Sequence, residues 1–390
     1  MSWKQITSLA RRLRFVKLTL RAQQSMSRLC RLFGMSRRTG YKWITRFERE
    51  GVVGLRDRGH RPHGSPQRLA AHWLTRVRQL RRKRRSWGSR KLVATLRKDY
   101  PRQKVPSART IAYWLKGWNL TRQRPRRARR GPQLPRQGLT IPGRSNQVWT
   151  VDFKGWFRTR NGQRVEPLTV RDLFSRYLLA VRLLKDQSWS PVRRIFIRLF
   201  RKYGYPCVIR MDNGGPFASS GPAGLSRLSA WWVGLGIRVE FIAPGHPEQN
   251  GAHEQMHRVL KAETTRPPSS NLRAQQRRSD RWVRTYNYFR PHEALGQRVP
   301  AQKYRAEPAP ARSVLLRYPR NCAIRRVRSN GQIKWRGRKR CIGEAFVGYQ
   351  VGLKLSRAGQ WGVYFAGLLI GELWESDPGG IRPANYTRHF

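Results

Sequence analysis

Apolar side chains recur at helical spacing through the first part of the chain and at every second position from about residue 146 onward, so a helical front precedes strand-bearing regions. Ser27–Phe33 and Ser36–Phe47 read as two helices separated by Gly34-Met35. Trp43, Ile44 and Phe47 share one stripe with Gly40, and Ser36 is placed to cap the second helix. The pattern is that of a helix-turn-helix, with Arg37, Arg38, Tyr41 and Lys42 at the end of the helix that enters the major groove in such motifs. The bland alternative is a solvated basic face on a small bundle.

Gly and Pro between Arg56 and His63 break the helical period, and a second helical unit follows from Gln67. Within it, Pro106 and Ser107 begin another helix with Ile111, Trp114 and Leu115 inside and Arg109 as the candidate DNA contact. Residues 1–63 and 66–121 are therefore expected to be two helix-turn-helix domains. Residues 122–143 turn to Arg, Pro, Gly and Gln without period and read as a basic linker.

The next segment, 144–308, alternates. Val148, Thr150 and Asp152 lie on one face of a strand, and Trp149, Val151 and Phe153 on the other. Leu168–Arg171 and Tyr177–Leu183 are two further strands around a turn at 172–176. An amphipathic helix follows, marked by Val192, Ile195, Phe196, Leu199, Phe200 and Tyr203. Strands at 207–212 and 237–242 and a helix from Gly251 complete a mixed α/β sheet with crossovers. Five short strands with a hairpin turn at Ser329-Asn-Gly331 predict a small β-barrel over 312–375. The expected fold class is thus multidomain: all-α front, α/β core with a mixed sheet, all-β barrel at the end.

Charge narrows the function. The 390 residues hold 83 Lys and Arg against 20 Asp and Glu, a net +63, of which +35 falls in 1–140, +17 in 141–310 and +11 in 311–390. Enough apolar residues remain, 38% with 15 Trp, to build real cores. An ordinary metabolic enzyme with a small-molecule substrate is excluded as a reading; the partner expected is a polyanion, double-stranded DNA ahead of an anionic membrane. Cys30, Cys207, Cys322 and Cys341 form no CxxC pair, no signal-like or membrane-spanning stretch is evident, and a reducing cytoplasm fits.

Acids are rare here, and three sit where a cation would be wanted. Asp152 and Asp212 each end a strand, where a charged carboxylate beside a sheet core is costly unless it is paired or binds a cation. Glu254 lies in the helix 251–263, where counting 100° per residue puts Ala252, Met256, Val259 and Leu260 on the buried stripe and Glu254 with His257, Arg258 and Lys261 on the opposite face. That face supports two readings, a metal ligand flanked by phosphate-binding side chains or an exposed glutamate in ion pairs.

Val148-Trp-Thr-Val-Asp152, Arg210-Met-Asp-Asn-Gly214 and Pro244 through Glu254 resemble the three signature segments of retroviral-integrase-like DDE transposases. Tyr286 through Gly296 with Pro300 through Tyr304 is similar to the segment after the catalytic helix in bacterial insertion-sequence transposases of family 481, close to family 3. The resemblance implies an RNase H-like core in which Asp152, Asp212 and Glu254 hold two Mg²⁺ ions, with Mn²⁺ able to substitute. Asp152 would bridge the ions and the other two acids would complete one site each. It also implies that Asn213, Gln249 and Asn250 lie in loops that position donor DNA, with assembly as a homo-oligomer on paired ends. The step from Asp212 to Glu254 is longer than in the retroviral relatives, which points to an insertion around Ser219–Ser229, and no zinc module precedes the core.

Two other readings compete: a non-catalytic helix-turn-helix regulator derived from such a protein, and a ribonuclease of the same fold. Asp172 reads as an Asx-type turn acid, Glu248 as a helix N-terminal charge, Glu240 and Glu263 as surface charges, and Cys207 as a small buried strand residue. His253 and His257 flank Glu254, but no further His or Cys lies at zinc spacing. In the C-terminal region Arg336 and Lys339 are candidate DNA contacts, and Trp335 either stacks on DNA or packs in the core.

Overall fold

The computed structural model describes residues 8–57, 71–121, 138–243, 249, 251–313, 316–318, 320–357 and 359–384. Two compact units divide the chain, 1–70 and 71–390. No helix among the described residues is long and apolar enough to cross a membrane.

In the first unit, α1 (Ser8–Leu20), α2 (Met26–Leu32) and α3 (Arg37–Glu50) bury Phe15, Val16, Leu29, Cys30, Phe33, Trp43 and Leu55 in one core. Ser36 caps α3, its hydroxyl accepting the Thr39 N–H at 3.2 Å. Gly40 is where α3 meets its neighbours: a Cβ there would lie 2.8 Å from Cys30 Sγ and 2.9 Å from Phe15 Cζ. Arg37, Arg38, Tyr41 and Lys42 are exposed on the opposite side.

The second unit opens with α4 (His72–Lys83), α5 (Ser89–Asp99) and α6 (Ala108–Gly117). Ser107 caps α6 through the Thr110 N–H at 3.1 Å, Ile111 and Leu115 are buried, and Arg109 is exposed. These helices are tied to the core by hydrogen bonds from Arg290 to Ser86 and from Lys91 to the Pro291 carbonyl.

The core sheet contains β1 (Val148–Phe153), β2 (Phe157–Arg158), β3 (Arg164–Asp172), β4 (Leu178–Leu184), β5 (Val208–Met211) and β6 (Arg238–Phe241). Its order is β4-β3-β1-β5-β6, with β2 paired to the start of β3. β1 is antiparallel to β3 and parallel to β5, and β5 is parallel to β6. The parallel pairs require crossovers, supplied by α7 (Trp189–Tyr203) and α8 (Arg227–Gly234). Trp149 and Val151 face the apolar core shared with Phe196, Phe200 and Trp232 of those helices, while Thr150 faces α9 (Gly251–Thr264). α10 (Leu272–Tyr288) then packs on β4.

The all-β end comprises β7 (Ala323–Arg326), β8 (Gln332–Trp335), β9 (Arg338–Cys341), β10 (Gln350–Arg357), β11 (Gln360–Phe365), β12 (Leu368–Trp374) and β13 (Arg382–Pro383). Five of them form an antiparallel ladder ordered β13-β12-β11-β10-β7, and β8 with β9 makes a separate ribbon. The turn at Ser329-Asn-Gly331 therefore does not join a hairpin: β7 pairs with β10, and the hairpin lies one step later, across Arg336-Gly337. Ile333 and Trp335 of the ribbon share their core with Leu353, Phe365 and Ile370 of the ladder, and the Ile381 N–H bonds the Cys341 carbonyl at 3.0 Å where the two sheets meet.

Three sequence expectations are corrected. Cys207 is exposed, because it precedes β5 rather than lying in it. Glu240 is not a surface charge: it is largely buried and pairs with the buried Arg210, which its place opposite that residue on β6 demands. Glu263 accepts from Trp282 Nε1 at 2.6 Å and Arg290 Nη1 at 2.9 Å, tying α9 to α10.

Candidate active site

The β1–β5 register pairs Val148 with Val208 and Thr150 with Arg210. Two residues beyond the last pair of that ladder, the same offset of 60 sets Asp152, still paired with Thr169 of β3, against Asp212, which follows the end of β5; the Asp212 charge acts on Asp152. Glu254 stands exposed in the first turn of α9, and its charge is felt at Asp152. Burial, first, and then the neighbouring Asp212 push the Asp152 carboxyl up to about 7; Glu254 adds to this, and Lys154 opposes it.

α9 departs from the sequence expectation in one respect. His257 is buried, not on the outward face with Glu254, and so is His253. His253, Met256, His257, Leu260 and Thr264 make the inward stripe, while Arg258 and Lys261 stay exposed beside Glu254. Both imidazoles meet the Thr169 hydroxyl, at 2.6 and 2.7 Å, and Thr169 donates to the Asp152 carbonyl at 3.0 Å. His253 Nδ1 contacts Thr150 Oγ1 at 2.9 Å, and His257 Nδ1 lies 3.6 Å from Asp152 Oδ2. Asp152, His253 and His257 thus form a group of potential metal-ligating side chains. Burial holds both histidines neutral, His257 down to about 3. Residue-by-residue reading missed this cluster, although the signal was present as His-x-x-x-His with the acid between and threonines on adjacent strands.

The remaining candidates divide. Asn213 donates to the Ile242 carbonyl at 2.8 Å, and the Gln249 side chain accepts from the Ala243 N–H at 2.9 Å, so both brace the loops around the acids. Asn250 and Glu248 lie outside the described residues. Asp172 has the turn role expected of it, accepting from the Asn146 and Ser175 N–H groups at 2.9 and 2.8 Å. Pro222–Gly224, within the segment expected to account for the long step from Asp212 to Glu254, docks on the all-β end, where the Ala223 N–H bonds the Ala384 carbonyl. In the all-β end, Trp335 is core, packed edge-on against Trp361, Arg336 pairs with Glu375, and Lys339 is exposed.

Comparison with known proteins places this geometry in a family. Integrase core domain families match residues 142–247 and 235–300. A helix-turn-helix domain matches 11–63, a homeodomain-like domain 39–115, and the C-terminal domain of IS481 family transposases 322–373. The chain is 30% identical over 240 residues to the insertion element IS407 uncharacterized 31.7 kDa protein of Burkholderia multivorans, covering 59% of this chain and 81% of that protein. It is 30% identical over 290 residues to the insertion element IS476 uncharacterized 39.2 kDa protein of Xanthomonas euvesicatoria, covering 73% and 75%. Among solved structures, the HTLV-2 integrase catalytic core domain in complex with magnesium is 16% identical with a TM-score of 0.34, covering 42% of this chain and 100% of that one. A simian T-cell lymphotropic virus intasome in complex with PP2A regulatory subunit B56 gamma is 17% identical with a TM-score of 0.37, covering 73% and 91%. The integrase core defines a member of the polynucleotidyl transferase superfamily. More narrowly, the chain belongs to the DDE transposases of bacterial insertion sequences.

Proposed function

We propose that this protein binds the ends of a mobile DNA element and catalyses divalent-metal-dependent strand cleavage and strand transfer. The observation that carries the reading is the β1–β5 register, which sets Asp152 beside Asp212 with Glu254 within electrostatic reach. An all-oxygen set of three acids suits hard divalent cations, Mg²⁺ or Mn²⁺; burial first, and then repulsion from the neighbouring acids, raises Asp152, and a bound cation would offset both. Asp152, Asp212 and Glu254 would hold two such ions, whose role when bound is to polarise the scissile phosphate and favour the anionic form of the attacking oxygen.

The protein's own part is positioning. Arg258 and Lys261, exposed on α9 beside Glu254, would grip DNA phosphates near the reacting one. Asn213 and Gln249 hold the loops that border the acids. Water attacks a phosphodiester and a 3′-oxygen departs; the 3′-hydroxyl so freed then attacks a target phosphodiester, displacing another 3′-oxygen, with no covalent protein intermediate. Arg37, Arg38, Tyr41, Lys42 and Arg109 would read or grip the element end, Lys339 would add a phosphate contact, and two ends reacting together call for a homo-oligomer on double-stranded DNA.

The test is joining of a labelled duplex carrying the element's end, with Mg²⁺ or Mn²⁺, by wild type and by Asp152→Asn, Asp212→Asn and Glu254→Gln. Joining by wild type and binding without joining by each variant is the expected result. A wild type that binds the end but never cuts it with either ion overturns the catalytic reading in favour of a DNA-binding regulator.

A further inference from the structure

The Thr169 hydroxyl makes three contacts at once: the Asp152 carbonyl oxygen at 3.0 Å, His253 Nε2 at 2.6 Å and His257 Nε2 at 2.7 Å. A hydroxyl has one proton to give and two lone pairs with which to receive. The carbonyl oxygen carries no proton, so the Thr169 proton lies on that line, and both imidazoles must donate their Nε2–H to the hydroxyl oxygen. The network thereby assigns the tautomers. His253 is left with an accepting Nδ1, which meets the Thr150 hydroxyl at 2.9 Å. His257 is left with a lone pair on Nδ1, and that atom faces Asp152 Oδ2 at 3.6 Å.

With Asp152 ionised, nitrogen and oxygen lone pairs facing each other at this distance make no hydrogen bond and repel. Two ligand atoms each about 2.0–2.2 Å from one divalent ion can stand up to about 4 Å apart, so 3.6 Å is a span that a single cation bridges. The Thr169 hydroxyl accepts the Nε2–H of His257, the second hydrogen bond by which a metal-ligating histidine is oriented.

We propose that His257 Nδ1 is a nitrogen ligand, beside Asp152, to one of the divalent cations of this site. The inference rests on the reading of Asp152 as a metal ligand and deepens it: the site has mixed nitrogen and oxygen donors rather than oxygen alone. Imidazole favours transition-type ions over Mg²⁺, which prefers a shell of oxygens. The site therefore prefers Mn²⁺ to Mg²⁺ by more than carboxylates alone would give.

The experiment is electron spin-echo spectroscopy of the full-length protein loaded with Mn²⁺ alone. Wild type should show the hyperfine coupling of one imidazole nitrogen. In His257→Asn that coupling should vanish and Mn²⁺ affinity should fall about tenfold or more, while Mg²⁺ affinity, read by competition, changes far less. Absence of nitrogen coupling in the wild type, or its survival in His257→Asn, overturns the proposal; the wild-type spectrum decides even if the variant folds poorly. Asp152→Asn separates this from the underlying reading. If Mn²⁺ binding survives that substitution unchanged, Asp152 is not a ligand; if binding is lost there and the wild type shows no nitrogen coupling, only the role of His257 fails.

Discussion

Arg210 and Glu240 stand opposite each other on β5 and β6, and the guanidinium reaches Oε2 of the carboxylate through Nε at 3.0 Å and Nη2 at 2.9 Å. The arginine side chain is 2% exposed and the glutamate 10%. The carboxylate also accepts from the Thr140 N–H at 3.1 Å, and Arg210 donates to the Thr140 carbonyl at 2.7 Å, so the pair anchors the chain that enters the core as well as the two strands.

Removing one partner leaves a buried charge uncompensated. Glu240→Gln is therefore expected to cost about 3–5 kcal/mol of unfolding free energy, measured by denaturant titration. A loss below about 1 kcal/mol, the value of an exposed pair, would show that the pair is solvated.

Asp152 predicts a pH dependence of the metal-free protein. Its folded-state value, about 7, lies above the ordinary carboxylate value, so between roughly pH 4 and 7 the folded form binds more protons than the unfolded one. This group then stabilises the fold at low pH and loses that contribution as pH rises through this window, by a few kcal/mol in order of magnitude. In EDTA, Asp152→Asn should be more stable than wild type at pH 8 and not at pH 4. An equal difference at both pH values would contradict the raised value.

Asp172 should be structural rather than part of the site. It accepts from the buried Asn146 and Ser175 N–H groups, and Asp172→Ala leaves those donors unsatisfied at about 1–3 kcal/mol each. The expected outcome is a large drop in melting temperature with Mn²⁺ affinity of the folded fraction unchanged. A stable variant that no longer binds Mn²⁺ would move Asp172 into the site.

Gly40 sets the approach of α3 to α1 and α2. A methyl group there meets Cys30 Sγ and Phe15 Cζ below 3 Å, and Gly40→Ala should cost about 1–3 kcal/mol by overpacking. Hydrogen exchange of the α2 and α3 amides reads this directly, and unchanged protection would show that the helices yield without cost.

Much of this was legible in sequence because it is local. Ser36 and Ser107 cap helices by contacts three residues away, and the alternation of β1 already separated Trp149 and Val151 from Thr150 and Asp152. The misreadings were non-local. Glu240 looked like a surface charge because its partner lies 30 residues earlier, on the neighbouring strand. The Ser329–Gly331 turn suggested a hairpin because turn chemistry is local, whereas β7 found its partner in β10.

The same division holds at the site. Sequence alone determined that three rare acids sit at strand ends and on a helix, in segments resembling those of DDE transposases, within a chain charged for a polyanion. Helical counting put His257 outside with Glu254, and an average of 100° per residue cannot decide on which side of the stripe's edge a residue falls. Only the packing of α9 against β1 and β3 decided that, by bringing the Thr169 hydroxyl, 84 and 88 residues away in sequence, to the two imidazoles. A buried imidazole needs partners for its ring nitrogens, and those partners come from whichever strands the tertiary fold lays beneath the helix.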